Sequence, residues 1–204
     1  HIIFVQNYII LQRSVSYMNY HNITYPDQNN GDGLRVVLWT AGCSHHCPEC
    51  QNPQTWNPSS GILFDENAKK EIFIELSKDY ISGITLTGGD PLYESNLKDI
   101  LLLLKEIKEK YPTKTVWLYT GYVYEWLLAD YAHDVVTQYY NPDTNFHHDE
   151  FTRFEILTKC DVIVDGEYKK ELRDITLKWR GSSNQRVIDV QKSLTEGKVV
   201  LFCD

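Results

Sequence analysis

Three cysteines and two histidines lie within eight positions, in the segment CSHHCPEC at residues 43–50. The cysteine spacing is Cys43-x3-Cys47-x2-Cys50. Thiolates are soft ligands that suit zinc or iron–sulfur clusters, and three of them on one turn can bind three corners of a cubane cluster. The fourth iron would then be open to bind a substrate and pass an electron to it. The spacing therefore predicts a metal centre.

Two other interpretations of the three cysteines stay open. His45 or His46 could complete a tetrahedral Cys3His zinc site, or the thiols could be unligated at the surface. Zinc fingers and ribbons usually bring their ligands in two pairs from separate turns, and the sequence has no second pair. Clustered exposed thiols oxidise readily. Both observations favour an iron–sulfur cluster.

The cysteine segment and the other polar motifs each follow a predicted strand. Apolar, β-branched runs predict the strands, and helical spacing with Asp65, Ser95 and Pro112 as start and stop signals predicts the helices. Strands alternating with helices indicate an α/β fold with parallel strands, whose sites lie at the carboxyl ends of the strands. The predicted strands are 34–42, 81–90, 115–121, 161–166 and 198–204; the predicted helices are 65–80, 95–111 and 124–131; and 132–153 is predicted to be an irregular loop.

The chain has 204 residues and a net charge of -8. This length fits one domain, and the acidic balance without a basic stripe argues against nucleic-acid binding. Residues 1–17 are interrupted by polar side chains, so they cannot supply a membrane span, and we interpret them as an upstream extension or an expression remnant before a single domain at 18–204. Five cysteines do not form a disulfide framework, so we expect a cytoplasmic protein without a membrane partner.

Several residues outside the cysteine segment are candidates for a binding site. Gly88-Gly89-Asp90 ends a predicted strand and would let a ligand lie against exposed backbone, although a plain turn explains it equally well. The same two interpretations apply to Thr120-Gly121. Further candidates are Asp165, Gly166, Arg180, Asn184 and Arg186, of which the last three belong to the segment RGSSNQR.

Other polar or reactive residues receive structural interpretations. His147 and His148 are expected to be solvated in a loop, and Cys160 and Cys203 to be buried as small hydrophobic residues. The abundant Tyr and Trp residues are expected in the core. No catalytic role is assigned to Asp27, Asp32 or His21.

The cysteine spacing resembles the signature of the radical S-adenosylmethionine (SAM) superfamily. From about residue 18 to the C-terminus, the chain is similar to the activating enzymes of anaerobic (class III) ribonucleotide reductase. The motifs that carry this resemblance, in chain order, are GDGLRVVLW, AGCSHHCPECQNPQTW, TGGDPL, YTGY, DVIVDGEY and WRGSSNQRVIDV.

The resemblance implies a partial (β/α) barrel with mostly parallel strands. It implies a [4Fe-4S] cluster bound by Cys43, Cys47 and Cys50, with SAM on the open iron. Glu49 stands where the family often has an aromatic residue, so its implied contact is through the backbone. The implied SAM-binding residues are Glu49, Cys50, Gln51, Gly88, Gly89, Asp90 and Thr120.

The resemblance implies that the chain is an oxidoreductase. The reduced cluster would cleave SAM to methionine and a 5′-deoxyadenosyl radical, which takes a hydrogen atom from a glycine near the C-terminus of the large subunit of the reductase. An electron donor such as flavodoxin would feed the cluster. Two alternatives are another radical SAM enzyme, such as pyruvate formate-lyase activase, and a zinc-binding module without catalysis. The RGSSNQR segment favours the reductase as partner.

Overall fold

The computed structural model describes residues 18–129 and 148–203, with the side chains of 152–203 in the second range. Residues 1–17, and with them the expected extension, lie outside the described part. The strands are β1 (Asn19–Asp27), β2 (Leu34–Thr40), β3 (Ile62–Leu63), β4 (Ile81–Gly88), β5 (Thr115–Tyr119), β6 (Val162–Asp165), β7 (Arg186–Asp189) and β8 (Leu201–Cys203). The helices are α1 (Glu66–Leu76), α2 (Leu97–Lys110), α3 (residues 124–129), α4 (His148–Lys159) and α5 (Val190–Glu196). Short 3-10 turns cover Pro53–Thr55 and Lys170–Leu172.

The described strands form one sheet in the order β3-β1-β2-β4-β5-β6-β7-β8. The expectation of mostly parallel strands is wrong: β2–β4, β4–β5 and β5–β6 are parallel, and the other four pairs are antiparallel. The difference arises from β1, β3 and β7, three antiparallel strands that the sequence did not reveal. The sheet is open between β3 and β8, so an α/β fold is confirmed and its curvature into a partial barrel stays a prediction.

The two faces of the sheet have different roles. Successive strand residues point to opposite faces, and Val36 and Leu38 of β2 enter the large core while Arg35 and Trp39 point the other way. All five described helices contribute to the large core, for example through Ile72, Leu103, Leu127, Ile156 and Val190. The opposite face carries a smaller cluster of Trp117, Val162, Val164 and Val187, with Tyr119, Trp179 and Cys203 packed against it. The cavity described below lies on this second face.

The first turns of α1 and α2 differ in whether a side chain caps them. Asp65 caps α1 as expected, because its carboxylate accepts bonds from Asn67 N and Ala68 N at 3.0 and 2.9 Å. The expectation that Ser95 opens the next helix is wrong, since α2 begins at Leu97 with Asn96 at the N-cap. The Asn96 side chain makes no cap and instead donates to Ala41 O at 2.8 Å, which ties the helix to the end of β2.

The predicted irregular loop at 132–153 is wrong for residues 148–153, which belong to α4. The remainder, including His147, lies outside the described residues, as does the side chain of His148. Cys160 is fully buried as predicted, whereas Cys203 on edge strand β8 is partly exposed. Within the described ranges, the helices are all too short or too polar to cross a membrane.

Candidate metal centre and cavity

The cysteine loop, residues 41–56, begins directly after β2 and is held at its base by main-chain hydrogen bonds. Gly42 N donates to Thr55 O at 2.7 Å, and Cys43 N donates to Trp56 O at 3.1 Å. Inside the loop, His46 and Glu49 have positive φ angles of 47° and 56°, which non-glycine residues adopt rarely. The backbone therefore turns tightly between the cysteines while its two ends stay fixed.

Cys43, Cys47 and Cys50 are partly buried and line one cavity of about 630 Å³ at the carboxyl ends of the parallel strands. Burial raises the pKa of the Cys43 thiol to about 11 and also raises the pKa of Cys47. Ligand thiols must be deprotonated, so a bound metal group would have to displace these protons through its own positive charge.

His45 and His46 make other contacts and are not placed as a fourth ligand for zinc. In the described part of the chain, no group of three or more His, Cys, Asp and Glu side chains is arranged to hold one ion. A zinc ion needs every sulfur ligand at about 2.3 Å from one centre, whereas a cubane distributes its cysteines over separate irons. Both ring nitrogens of His45 are engaged by carboxylates, and His46 is exposed, with its ring packed on Trp56 at 4.8 Å. The structure therefore disfavours the Cys3His zinc site.

The glycine pair after β4 is joined to the base of the cysteine loop. Gly89 N donates to Thr40 O at 2.8 Å, and Asp90 N donates to Gly42 O at 2.7 Å. A Cβ atom on Gly89 would lie 2.4 Å from Gly42 O, and Gly88 has φ of +103°. These glycines are required by the packing of the two loops, which accounts for them in the turn, and their contact with a ligand stays a prediction.

Asp90 is the hub of the loops around the cavity. Its carboxylate is 2% exposed and accepts hydrogen bonds from Leu92 N at 2.8 Å, Thr120 Oγ1 at 2.8 Å and Gly121 N at 3.0 Å. His45 Nε2 lies a further 2.9 Å from its Oδ2 atom. Because these protein groups already use the carboxylate oxygens, the side chain of Asp90 is better suited to positioning the loops than to binding a ligand.

His45 connects the cysteine loop to the loops after β4, β5 and β6. Its Nδ1 atom lies 3.0 Å from Glu167 Oε1, and its ring packs on Tyr122 at 4.8 Å. A Cβ atom on Gly121 would lie 2.4 Å from His45 Cδ2, so glycine is needed there. Burial lowers the pKa of His45, but hydrogen bonds and charge attraction from Asp90 and Glu167 outweigh it and raise the pKa overall.

The cavity brings together most of the residues predicted from the sequence. The predicted residues in its lining are Cys43, Cys47, Cys50, Gln51, Gly88, Gly89, Asp90, Thr120, Gly121, Gly166 and Arg180. Glu49 is not in the lining, and its exposed side chain pairs with Lys170. Asp165 and Arg186 are also outside it, and Arg186 Nε donates to Asp165 Oδ1 at 3.0 Å. Asn184 donates to Glu167 O at 2.8 Å and supports the rim.

Arg180 supplies positive charge to the cavity. It is the only Lys or Arg that lines the cavity within the described residues. Its Nη1 atom donates to Gln185 O at 3.0 Å, while its buried Nε atom has no hydrogen-bond partner among those residues. A ligand with a carboxylate would satisfy this donor.

The aromatic lining of the cavity was not predicted from the sequence, which indicated Tyr and Trp in the core. Trp39, Trp56, Tyr119, Tyr168 and Trp179 all line the cavity. Trp39 is the second-last residue of β2 and Tyr119 is the last residue of β5, and this position near the strand ends was an available signal. The bridging role of His45 was also missed, because the sequence suggested it only as a zinc ligand.

The description of the family model that matches residues 29–188 is "4Fe-4S single cluster domain". Three similar proteins share the name "Anaerobic ribonucleoside-triphosphate reductase-activating protein". The protein of Enterobacteria phage T4 is 42% identical over 170 residues, which cover 83% of this chain and 93% of that protein. The protein of Escherichia coli K12 is 36% identical over 172 residues, covering 83% and 97%. The protein of Vibrio cholerae is 35% identical over 170 residues, covering 82% and 96%.

Proposed function

This chain belongs to the family of the anaerobic ribonucleoside-triphosphate reductase-activating proteins, and on that premise we propose that it is a radical SAM activating enzyme. It cleaves SAM reductively at a [4Fe-4S] cluster and generates a glycyl radical on anaerobic ribonucleotide reductase. One observation carries the proposal. The three cysteines line a single cavity with the glycine pair and Thr120.

Cys43, Cys47 and Cys50 would hold the cluster. When bound, the cluster supplies the single electron that breaks the C5′–S bond of SAM. Three protein thiolates for four irons would leave one iron without a protein ligand, and SAM would bind there. The loop base at Gly42 and the His45 bridge hold the loop that carries the three thiols, which line the cavity where SAM would bind.

The SAM contacts follow from the groups that line the cavity. The main-chain carbonyl oxygens of Gly88 and Gly89 accept hydrogen bonds from the SAM ammonium group, while Asp90 holds that loop in place. Arg180 donates to the SAM carboxylate. The adenine meets the backbone of residues 49–51, where Glu49 provides main-chain atoms only.

The remaining walls contain a reactive radical. A 5′-deoxyadenosyl radical takes hydrogen atoms indiscriminately, so its selectivity must come from positioning and from exclusion of water. Trp39, Tyr119 and Trp179 supply apolar walls for this purpose. All five described helices pack on one face of the open sheet, which supports a partial barrel with its cavity on the other face.

The protein substrate would be the large subunit of the reductase. A glycine in a loop of that subunit must reach the cavity, and an open sheet leaves space for it to enter. We infer a cytoplasmic enzyme that takes its electron from a donor such as flavodoxin. The names of the relatives favour the reductase over pyruvate formate-lyase as the substrate.

The test is formation of the glycyl radical. Anaerobically reconstituted protein should be brown, with about four irons and four sulfides per chain. It is then reduced and mixed with SAM and the reductase large subunit, and a glycyl doublet is expected by electron paramagnetic resonance. A doublet with pyruvate formate-lyase but not with the reductase would overturn the substrate. Colourless, air-stable protein with one zinc would overturn the activity as well.

A further inference from the structure

The indole nitrogen of Trp56 is a buried donor without a partner. Trp56 Nε1 is shielded from solvent and makes no hydrogen bond to any of the described residues. A buried N–H group that stays unpaired costs about 1–3 kcal/mol, so proteins rarely leave one unless another group satisfies it. The position of Trp56 indicates which group this is.

Trp56 is attached to the base of the cysteine loop. Its carbonyl oxygen accepts the 3.1 Å hydrogen bond from Cys43 N. Its ring lies 4.8 Å from the ring of His46, a residue that stands between Cys43 and Cys47 in the sequence. Trp56 also lines the cavity together with all three cysteines. The residue that carries the unpaired N–H group therefore belongs to the wall that would surround the cluster.

A second tryptophan in the same cavity provides a contrast. Trp39 also lines the cavity, but its Nε1 atom donates to Thr24 Oγ1 at 3.0 Å. The two indoles thus share an environment and differ in whether the protein already satisfies their N–H group. Of these two groups, only that of Trp56 lacks an acceptor among the described residues.

We propose that Trp56 Nε1 donates a hydrogen bond to a sulfur atom of the [4Fe-4S] cluster held by Cys43, Cys47 and Cys50, and that this bond raises the reduction potential of the cluster. The inference rests on the proposed function. One-electron reduction adds a negative charge to the cluster, and a donor at sulfur stabilises the more negative state more strongly. Trp56 is a tuning residue, because it acts on the ease of reduction and leaves the chemistry at the open iron unchanged.

The test is a redox titration of reconstituted Trp56→Phe without SAM. Phenylalanine keeps an aromatic ring and removes the N–H group. The cluster is titrated with dithionite and mediators under anaerobic conditions and followed by electron paramagnetic resonance. At the wild-type midpoint potential, we expect the ratio of reduced to oxidised cluster to fall about threefold to tenfold, where tenfold corresponds to about 59 mV for a one-electron couple.

Trp39→Phe is the matched control and should titrate like the wild type. An unchanged midpoint in Trp56→Phe with four irons bound would overturn the inference and leave the proposed function standing. A Trp56→Phe variant whose only defect is weaker SAM binding would also overturn the inference, because the N–H group would then donate to SAM and not to the cluster. If no cluster forms on the wild-type protein, the proposed function fails and the inference fails with it.

A second measurement does not depend on the folding of Trp56→Phe. Wild-type protein is produced with tryptophan labelled with ¹⁵N in the indole ring, reconstituted and reduced. Electron–nuclear double resonance should detect a ¹⁵N coupling to the cluster in the wild type and in Trp39→Phe. Absence of that coupling contradicts the proposed hydrogen bond.

Discussion

His45 Nε2 and Asp90 Oδ2 lie 2.9 Å apart, and this contact joins the cysteine loop to the loop that follows the next parallel strand. The same carboxylate accepts hydrogen bonds from Thr120 and Gly121, while the other ring nitrogen of His45 lies 3.0 Å from Glu167 Oε1. One imidazole and one carboxylate therefore connect four loops around the cavity. The positions of the four loops therefore depend on one another, so a substitution in one loop should change how the cysteine loop holds the metal group.

Replacing His45 tests this bridge. His45→Ala leaves the buried Asp90 carboxylate without one of its partners, and we expect a loss of about 1–3 kcal/mol in the free energy of unfolding of the metal-free protein. Iron retention after reconstitution should fall as well. Urea denaturation and iron analysis measure the two effects. His46→Ala is the control, because His46 is exposed and lies outside this bridge, so the variant should lose less stability than His45→Ala. Equal losses in both variants would refute the bridge.

Replacing Gly89 distinguishes a role in loop packing from a role in SAM binding. In Gly89→Ala, the new Cβ atom would lie 2.4 Å from the main-chain oxygen of Gly42, which cannot move without the cysteine loop. We expect a loss of about 1–3 kcal/mol in stability without SAM or iron, measured by denaturation.

Gly181→Ala is the control for this substitution. Gly181 also lines the cavity, but the nearest atom to its new Cβ would be a side-chain carbon of Tyr168 at 3.2 Å. Its stability should be close to that of the wild type. If Gly89→Ala is equally stable and only weakens SAM binding, then the packing role is wrong.

Arg180 is expected to determine the affinity for SAM. Arg180→Met removes the cation that we assign to the SAM carboxylate, and a charge-assisted hydrogen bond of this kind corresponds to a rise of about tenfold or more in the dissociation constant. Anaerobic equilibrium dialysis of the iron-loaded variant measures it. Lys178→Met, which removes an exposed cation outside the cavity lining, should bind SAM like the wild type. Matching affinities in all three proteins would exclude this role.

The cysteines should divide into two classes. Cys47→Ala should lose the cluster and all SAM cleavage, because two thiolates cannot hold three corners of a cubane. Cys203→Ala, on the edge strand β8, should retain most of the cleavage activity. Iron analysis and chromatographic detection of 5′-deoxyadenosine report both outcomes. Similar losses in the two variants would mean that the ligands are misassigned.

The sequence predicted the elements that carry local signals. β2, β4, β5 and β6 are apolar runs that end in glycine or polar residues, and their order alone indicates that Cys43, Gly88 and Thr120 lie at one edge of the sheet. β1 and β3 lacked such signals. β1 alternates irregularly between buried and exposed residues, and β3 has only two residues, both exposed.

Contacts between distant residues were beyond the reach of sequence patterns. The His45–Glu167 contact joins residues 122 positions apart, and the His45–Asp90 contact joins residues 45 positions apart. Neither spacing reflects a helix or strand period, so these pairs become visible only when the loops meet. The unpaired state of Trp56 Nε1 is likewise a property of its neighbours in space.

Mössbauer spectroscopy of the ⁵⁷Fe-reconstituted protein, recorded with and without SAM, tests the central claim most directly. Three protein thiols and one open iron predict that one of the four iron sites changes its isomer shift when SAM is added, while the other three stay the same. Four iron sites that are all unaffected by SAM would contradict the account, because the cluster would then be fully ligated by the protein.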